Sequence, residues 1–432
     1  MDKRLMPVYA QTAAPHATEG QQPMARRALI LVEGHPDYGL RYIQAAQRLG
    51  IHSVTFSADP AQYDYLAAEA VEAIRVDTDD LDALIRECFR LRATYDIAGI
   101  TGFSRADESA YATASRLCRY FHLPGPNPES IERCCDKFLQ RHLLAEAGVP
   151  IPAYRLASNA TQAASSAVDI GLPVILKPTV GSGSNGVRLC RNVDEVAEHT
   201  TYLLGEDYLW RPSPRILVEE FAQGPYYCAH FMQNEIIGIS AADFGPPPHF
   251  VFRRGIFPAP LTDDDYRRIA DVSLSCLRIL NLGWGPTNIE FRWTRRGPVV
   301  IEVNPRLAGG AQSIHLAYDV DLITEHIKLV IGDEWNLHRR HSHIAAWRAL
   351  LPDRDGILDW IDGDSRAAAV PGVAEVKFYI KPKTAIVRKG DYRDSMGYVI
   401  AASPSPAAAE MIVQRAVSFI NWSIIPFPTV GG

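Results

Sequence analysis

Gly285-Pro-Thr-Asn-Ile-Glu-Phe-Arg-Trp-Thr-Arg-Arg-Gly-Pro-Val-Val-Ile-Glu-Val-Asn-Pro-Arg306 reads as two short strands joined by a turn. Asn288 to Trp293 alternates between two faces, Arg295-Arg-Gly-Pro298 supplies the turn, and Val299 to Val303 runs back. Side chains two apart on a strand share a face, so Glu302 and Asn304 point the same way. Antiparallel pairing can bring Glu290 opposite them. Three oxygen-bearing side chains on one sheet face suit Mg²⁺, a hard cation that fills the rest of its shell with phosphate oxygens and water. Arg306 follows two residues later and can face the charge that develops on a transferring phosphoryl group. Taken alone, the same stretch also fits a hairpin with a solvated acidic face. The rest of the chain decides between the two.

At 432 residues the chain is too long for one core. Its 47% hydrophobic and 22% charged content is that of a soluble globular protein. A net charge of −6 with no basic run argues against nucleic acid as a partner. Seven cysteines show neither disulfide nor metal-ligand spacing and read as reduced thiols, which points to the cytoplasm. No apolar run approaches the roughly 20 residues of a membrane span. Residues 1–24 lack the apolar region of a secretion signal and read as a mobile tail.

Ala28-Leu-Ile-Leu-Val-Glu33 is an apolar run of the kind found in buried parallel strands. A helix over 38–49, strands at Ser53–Phe56, Ala73–Val76 and Ile97–Ile100, and a helix near 80–92 extend it into a doubly wound domain over 25–126. No G-x-G-x-x-G follows its first strand, so the crevice beyond the strand ends reads as part of a substrate site. Next comes a segment over 127–212: a helix over 129–147 carrying Lys137, then a strand ending on Lys177, then Thr179-Val-Gly-Ser-Gly-Ser-Asn-Gly186. A glycine hairpin exposes backbone N–H groups that can cradle phosphate oxygens, and Ser182 and Ser184 add hydroxyls. Such a hairpin also serves simply as a flexible loop. In the third segment, 213–335, Arg215–Phe221 is a strand with acidic residues at its end, and Gly245–Pro260 is a proline-rich loop without regular structure. Helices span 263–281 and 319–331, and Gly309-Gly310 opens a loop. Residues 336–432 read as a small α+β subdomain packed on the core, with no catalytic cluster of its own.

Lys137, Lys177 with its glycine hairpin, the Glu219–Gly224 strand end and the Glu290/Glu302/Asn304/Arg306 hairpin occur in an order that resembles the ATP-grasp superfamily over residues 25–335. The resemblance implies an α/β and α+β architecture: a doubly wound N-terminal domain, a lid, a metal-bearing core and a C-terminal α+β subdomain. It implies that Lys137 and Lys177 hold the ATP phosphates, with Ser182, Gly183, Ser184 and Gly186 folding over them. It also implies that Glu219 accepts from the adenine amino group, that the Glu220, Phe221 and Ala222 backbone completes the purine edge, and that Glu290, Glu302 and Asn304 hold two Mg²⁺ ions, replaceable by Mn²⁺. Lys177 and Arg306 would be catalytic.

Within the superfamily, Asn304–Gly310, the Pro248–Pro260 loop and the C-terminal subdomain resemble bacterial L-amino-acid ligases and related carboxylate–amine ligases. These activate a carboxylate as an acyl phosphate and join it to an amine, as in dipeptide or specialised-metabolite synthesis, and are often homodimers. His249, Arg253, Arg254, Arg306, Gly309 and Gly310 would then face small carboxylate and amine substrates. Two departures stand out. Relatives often carry a ribose-binding glutamate where this chain has Tyr226. They commonly have a glutamate for a substrate amine where it has Phe252, followed by Arg253 and Arg254, so a substrate carboxylate is expected there. D-Ala–D-Ala-type and purine-biosynthetic ligases are alternatives, as is a nucleotide-binding protein without turnover.

Overall fold

Ala28 to Val32 is apolar at every position because both faces of its strand are covered. Leu29 and Leu31 enter one core cluster, while Ile30 and Val32 enter another. The computed structural model describes residues 25–103, 108–205, 215–307 and 309–428, and the expected tail over 1–24 lies outside them. β1 (Arg26–Val32), β2 (His52–Ser57), β3 (Glu72–Arg75) and β4 (Tyr95–Gly102) form a parallel sheet in the order β3-β2-β1-β4. The face carrying Leu29 and Leu31 is closed by Ile323, Ile327 and Val330 of a helix, Leu322–Val330, from far downstream in the chain.

β5 (Tyr154–Ala157), β6 (Val174–Pro178), β7 (Arg188–Cys190) and β8 (Ile216–Glu220) make an antiparallel sheet ordered β5-β8-β6-β7. A larger antiparallel sheet begins with β9 (Tyr226–Met232), β10 (Glu235–Asp243), β11 (Arg254–Phe257), β12 (Pro286–Thr294) and β13 (Gly297–Asn304). Downstream lie β14 (Ile344–Leu350), β15 (Gly356–Asp362), β16 (Val373–Phe378), β17 (Ala385–Ile386), β18 (Gly397–Ser403) and β19 (Asn421–Ile425). The large sheet runs β13-β12-β9-β10-β11-β14-β18-β16, and β17-β15-β19 form a separate one.

Four local readings are corrected. The helix expected over 129–147 is two helices, Pro128–Cys135 and Lys137–Glu146. Asp136 breaks it by capping the second, its carboxylate accepting from Phe138 and Leu139 N–H. The proline-rich loop contains β11, which pairs with β10 and β14. Through β11 the strands β14, β18 and β16 continue the large sheet instead of packing against it as a separate layer. Gly310 is not in a loop: it is the N-cap of a helix, Ala311–Tyr318, and the next helix starts only at Leu322 behind the Asp321 cap. All seven cysteines are free thiols. Among the described residues no helix is long and apolar enough to cross a membrane.

Candidate active site

The β12–β13 hairpin pairs Asn288 with Asn304 and Glu290 with Glu302. Asn304 Nδ2 donates to Glu290 Oε1 at 3.2 Å, so the three expected metal ligands do gather on one face. Their environments differ. Burial, then the Glu302 charge, pushes Glu290 up to about 7. Burial acts most strongly on Glu302 too, but Lys137 and Lys177 outweigh it and hold that carboxyl below its ordinary range.

Lys137 is the first residue of its helix, 7% exposed, with Nζ 2.9 Å from Glu302 Oε1 and bonded to the Gly181 carbonyl. Two neighbours on that helix fix this approach. Gln140 donates to the Val303 carbonyl and accepts from the Val303 N–H, both at 3.0 Å, so its amide acts as one more strand residue beside β13. Arg141 is fully buried and reaches Glu219 Oε1 at 2.5 Å and the Ile301 carbonyl.

Lys177 lies 2.5 Å from Glu219 Oε2. Glu219 is 2% exposed, with one oxygen 2.5 Å from Arg141 Nε and the other 2.5 Å from Lys177 Nζ. Burial lowers the Lys177 pKa, with Glu219 opposing. The Glu220 side chain turns outward to Arg296 at 2.9 Å, which leaves only its backbone for a purine edge. Phe221 packs with Ile175, Leu189 and Phe250 in a small apolar cluster beside buried Ala222.

Between β6 and β7 the chain takes positive φ at Gly181, Gly183, Ser184 and Gly186, which turns backbone groups inward as a phosphate cradle needs. Ser182 and Ser184 carbonyls close its tight turns on Asn185 and Val187 N–H. The C-terminal region holds this loop. Tyr392 N–H donates to the Gly183 carbonyl at 3.1 Å, and a Cβ at Gly183 would lie 2.4 Å from the Tyr392 ring.

Arg306 Nε donates to Glu108 Oε1 at 2.9 Å, and the Arg306 carbonyl accepts from Asn288 Nδ2. Asn288 also bonds His230, whose ring lies 2.6 Å from where a Gly310 Cβ would be, so only glycine fits there. Gly309 faces the Tyr38 hydroxyl. Burial keeps His230 at about 4, a neutral strut.

Tyr226 lies on this face beside Glu290, and burial, followed by the Glu290 charge, pushes its hydroxyl well above the usual range. Several other expected residues are not at this centre. The cross-strand row Arg292–Tyr226–Ala242–Gly255 shares the Glu290 face, so Arg254, one residue off, points to the opposite face and pairs with Asp243 at 3.3 Å. Arg253 is exposed and lies against Gly245. His249 packs on Gly390 of the C-terminal turn. Phe252 stacks on Trp347. Neither Arg253 nor Arg254 is brought to the Glu290/Glu302 rung.

Two carboxylates on one rung with an adjacent amide make a hard oxygen site, flanked on β9 by the Cys228 thiol and the His230 imidazole. The Glu290 and Glu302 carboxyls repel each other across the rung, a repulsion that a divalent cation would relieve. Among the described residues no group of three or more His, Cys, Asp or Glu gathers as a metal site. Sequence reading missed Glu108, Gln140, Arg141, Asn288 and His230. For Asn288 the strand alternation was a usable signal. For a buried arginine within an amphipathic helix there was none.

Residues 136–338 match the family described as carbamoyl-phosphate synthase L chain, ATP binding domain. Residues 348–424 match L-amino acid ligase C-terminal domain 2. The chain is 58% identical over 415 residues to y4rH of Sinorhizobium fredii, an uncharacterised protein, covering 96% of this chain and 86% of that one. Its fold is similar to that of an L-amino acid ligase from Bacillus licheniformis, with a TM-score of 0.77 at 17% identity over 93% of this chain and 99% of the other. It is also similar to the biotin carboxylase domain of Hydrogenobacter thermophilus 2-oxoglutarate carboxylase, solved with MgADP and bicarbonate. There the TM-score is 0.70 at 18% identity over 93% and 92% of the two chains.

Proposed function

We propose that this chain, which belongs to the ATP-grasp superfamily of ATP-dependent carbon–nitrogen ligases, joins a carboxylic or amino acid to the amine of an amino acid as an amide. The observation that carries this reading is the Glu290/Glu302 rung with Lys137 Nζ 2.9 Å from Glu302. It puts paired hard-cation ligands beside a buried ammonium, as phosphoryl transfer requires. Mg²⁺, as two ions or replaced by Mn²⁺, would be held by Glu290, Glu302 and Asn304 and would neutralise charge on the phosphates. Lys137, Lys177 and the 181–186 loop hold ATP. Arg306, fixed by Glu108, neutralises the transferring phosphoryl group. A substrate carboxylate oxygen attacks the γ-phosphorus, the β–γ bridge breaks, and ADP leaves. The amine nitrogen then attacks the acyl carbon, phosphate departs, and the nitrogen loses a proton. No protein nucleophile is needed. We place the reaction in the cytoplasm.

The test is incubation of the whole protein with Mg²⁺, ATP and pooled amino and carboxylic acids. Expected are ADP and phosphate in equal amounts, together with a product whose mass is acid plus amine minus water. Formation of AMP and pyrophosphate, or ADP release unaffected by the pool, would rule the scheme out.

A further inference from the structure

Arg292 has no part in the scheme above, yet it sits on the same sheet face as Glu290, two residues along β12. It is partly buried among rings: its guanidinium carbon is 5.5 Å from the Tyr226 ring centre and 5.9 Å from that of Phe250. Nη1 donates to the Gly224 carbonyl at 3.0 Å. Among the described residues no carboxylate pairs with it, although the chain forms ion pairs freely elsewhere. A guanidinium carries five N–H donors and no acceptor, so a sheltered one with a single carbonyl partner suits an oxygen-rich ligand.

Its place in the fold says which part of a ligand. Gly224 lies two residues beyond the Glu219–Ala222 segment and touches β12 so closely that a Cβ there would lie 1.8 Å from the Trp293 carbonyl. The apolar cluster of Ile175, Leu189, Phe221 and Phe250 lies at that end of the cleft. Lys137, Glu290 and Glu302 lie at the other. Two residues along a strand span about 7 Å, roughly the separation of a nucleotide's sugar from its terminal phosphates.

We propose that Arg292 is a nucleotide-positioning residue that donates hydrogen bonds to the ribose hydroxyl oxygens of bound ATP. The assignment rests on the ATP-dependent reading given above. It makes the sugar site a donor site, so the nucleotide is held by a cation over its ribose.

Binding of ATP, 2′-deoxy-ATP and 3′-deoxy-ATP, each with Mg²⁺, is measured by calorimetry on the full chain and on Arg292→Gln. The wild type is expected to bind ATP about tenfold more tightly than at least one deoxy analogue, the size of one charge-assisted hydrogen bond. R292Q is expected to lose about that factor for ATP and to bind that analogue as it binds ATP. Equal affinity of the wild type for all three nucleotides overturns the proposal without any variant. So does an equal loss for all three in R292Q, the signature of an α-phosphate contact or a packing role. Failure of the wild type to bind any of them would instead overturn the ATP-dependent reading, and this proposal with it.

Discussion

Arg306 and Glu108 form an ion pair 6% exposed on the carboxylate side, and each depends on the other. Burial raises the Glu108 pKa, and Arg306 is the largest opposing influence. Removing the arginine alone leaves a buried carboxyl without its cation. Arg306→Gln is therefore expected to lower stability by about 3 kcal/mol and to abolish ligation. In the double variant E108Q/R306Q two amides face each other, so stability is expected to recover while turnover stays absent. Urea unfolding midpoints and ADP release measure the two effects separately. Recovery of turnover in the double variant would remove Arg306 from the chemistry.

The second helix of the 128–146 pair is the element that assembles the centre. Asp136 starts it, Lys137 faces Glu302, Gln140 pairs with the β13 backbone, and Arg141 reaches both β13 and Glu219. Four functions thus lie within six consecutive residues. Gln140→Ala would leave the buried Val303 N–H and carbonyl without their partner, which costs about 1–3 kcal/mol. It should also raise the KM for ATP, because Lys137 loses its register against Glu302. A variant with the wild-type urea midpoint would show that the Gln140 amide does not brace β13. The sequence offered half of this. Asp136 is a capping residue, and a reading of 129–147 as one helix passes over it. β11 was hidden for a different reason: a four-residue strand flanked by prolines has too little pattern of its own, and it forms because β10 and β14 offer it hydrogen bonds on both sides.

At the scale of the molecule, distant segments close each other's faces, and this buries neutral histidines. Burial holds His326 at about 3 and His230 at about 4. The unfolded chain takes up protons at these residues below about 6.5, whereas the folded chain does not until far lower. Stability present above that pH is therefore lost as the pH falls, by about 2 kcal/mol per histidine at pH 5. Melting temperatures between pH 7 and 5 should fall less steeply in His326→Gln than in the wild type. Parallel curves would show that His326 does not contribute this dependence.

The sequence by itself determined the pieces governed by local rules. Alternation set the β12–β13 rung, because strand geometry puts residues two apart on one face. Glycine spacing set the loop between β6 and β7, because such residues turn the backbone there cheaply. The tertiary structure alone decided which charges meet. Glu219 could meet any of several cations, and packing brings Arg141 to one of its oxygens and Lys177 to the other. Arg253 and Arg254 are neighbours in sequence, and only the register of β11 turns Arg254 to the far face and leaves Arg253 exposed against Gly245. The helix Leu322–Val330 closes a sheet begun at Arg26, and Tyr392 grips a loop two hundred positions upstream. Such partners are fixed by packing between segments remote in the chain, and periodicity within a segment carries no record of them.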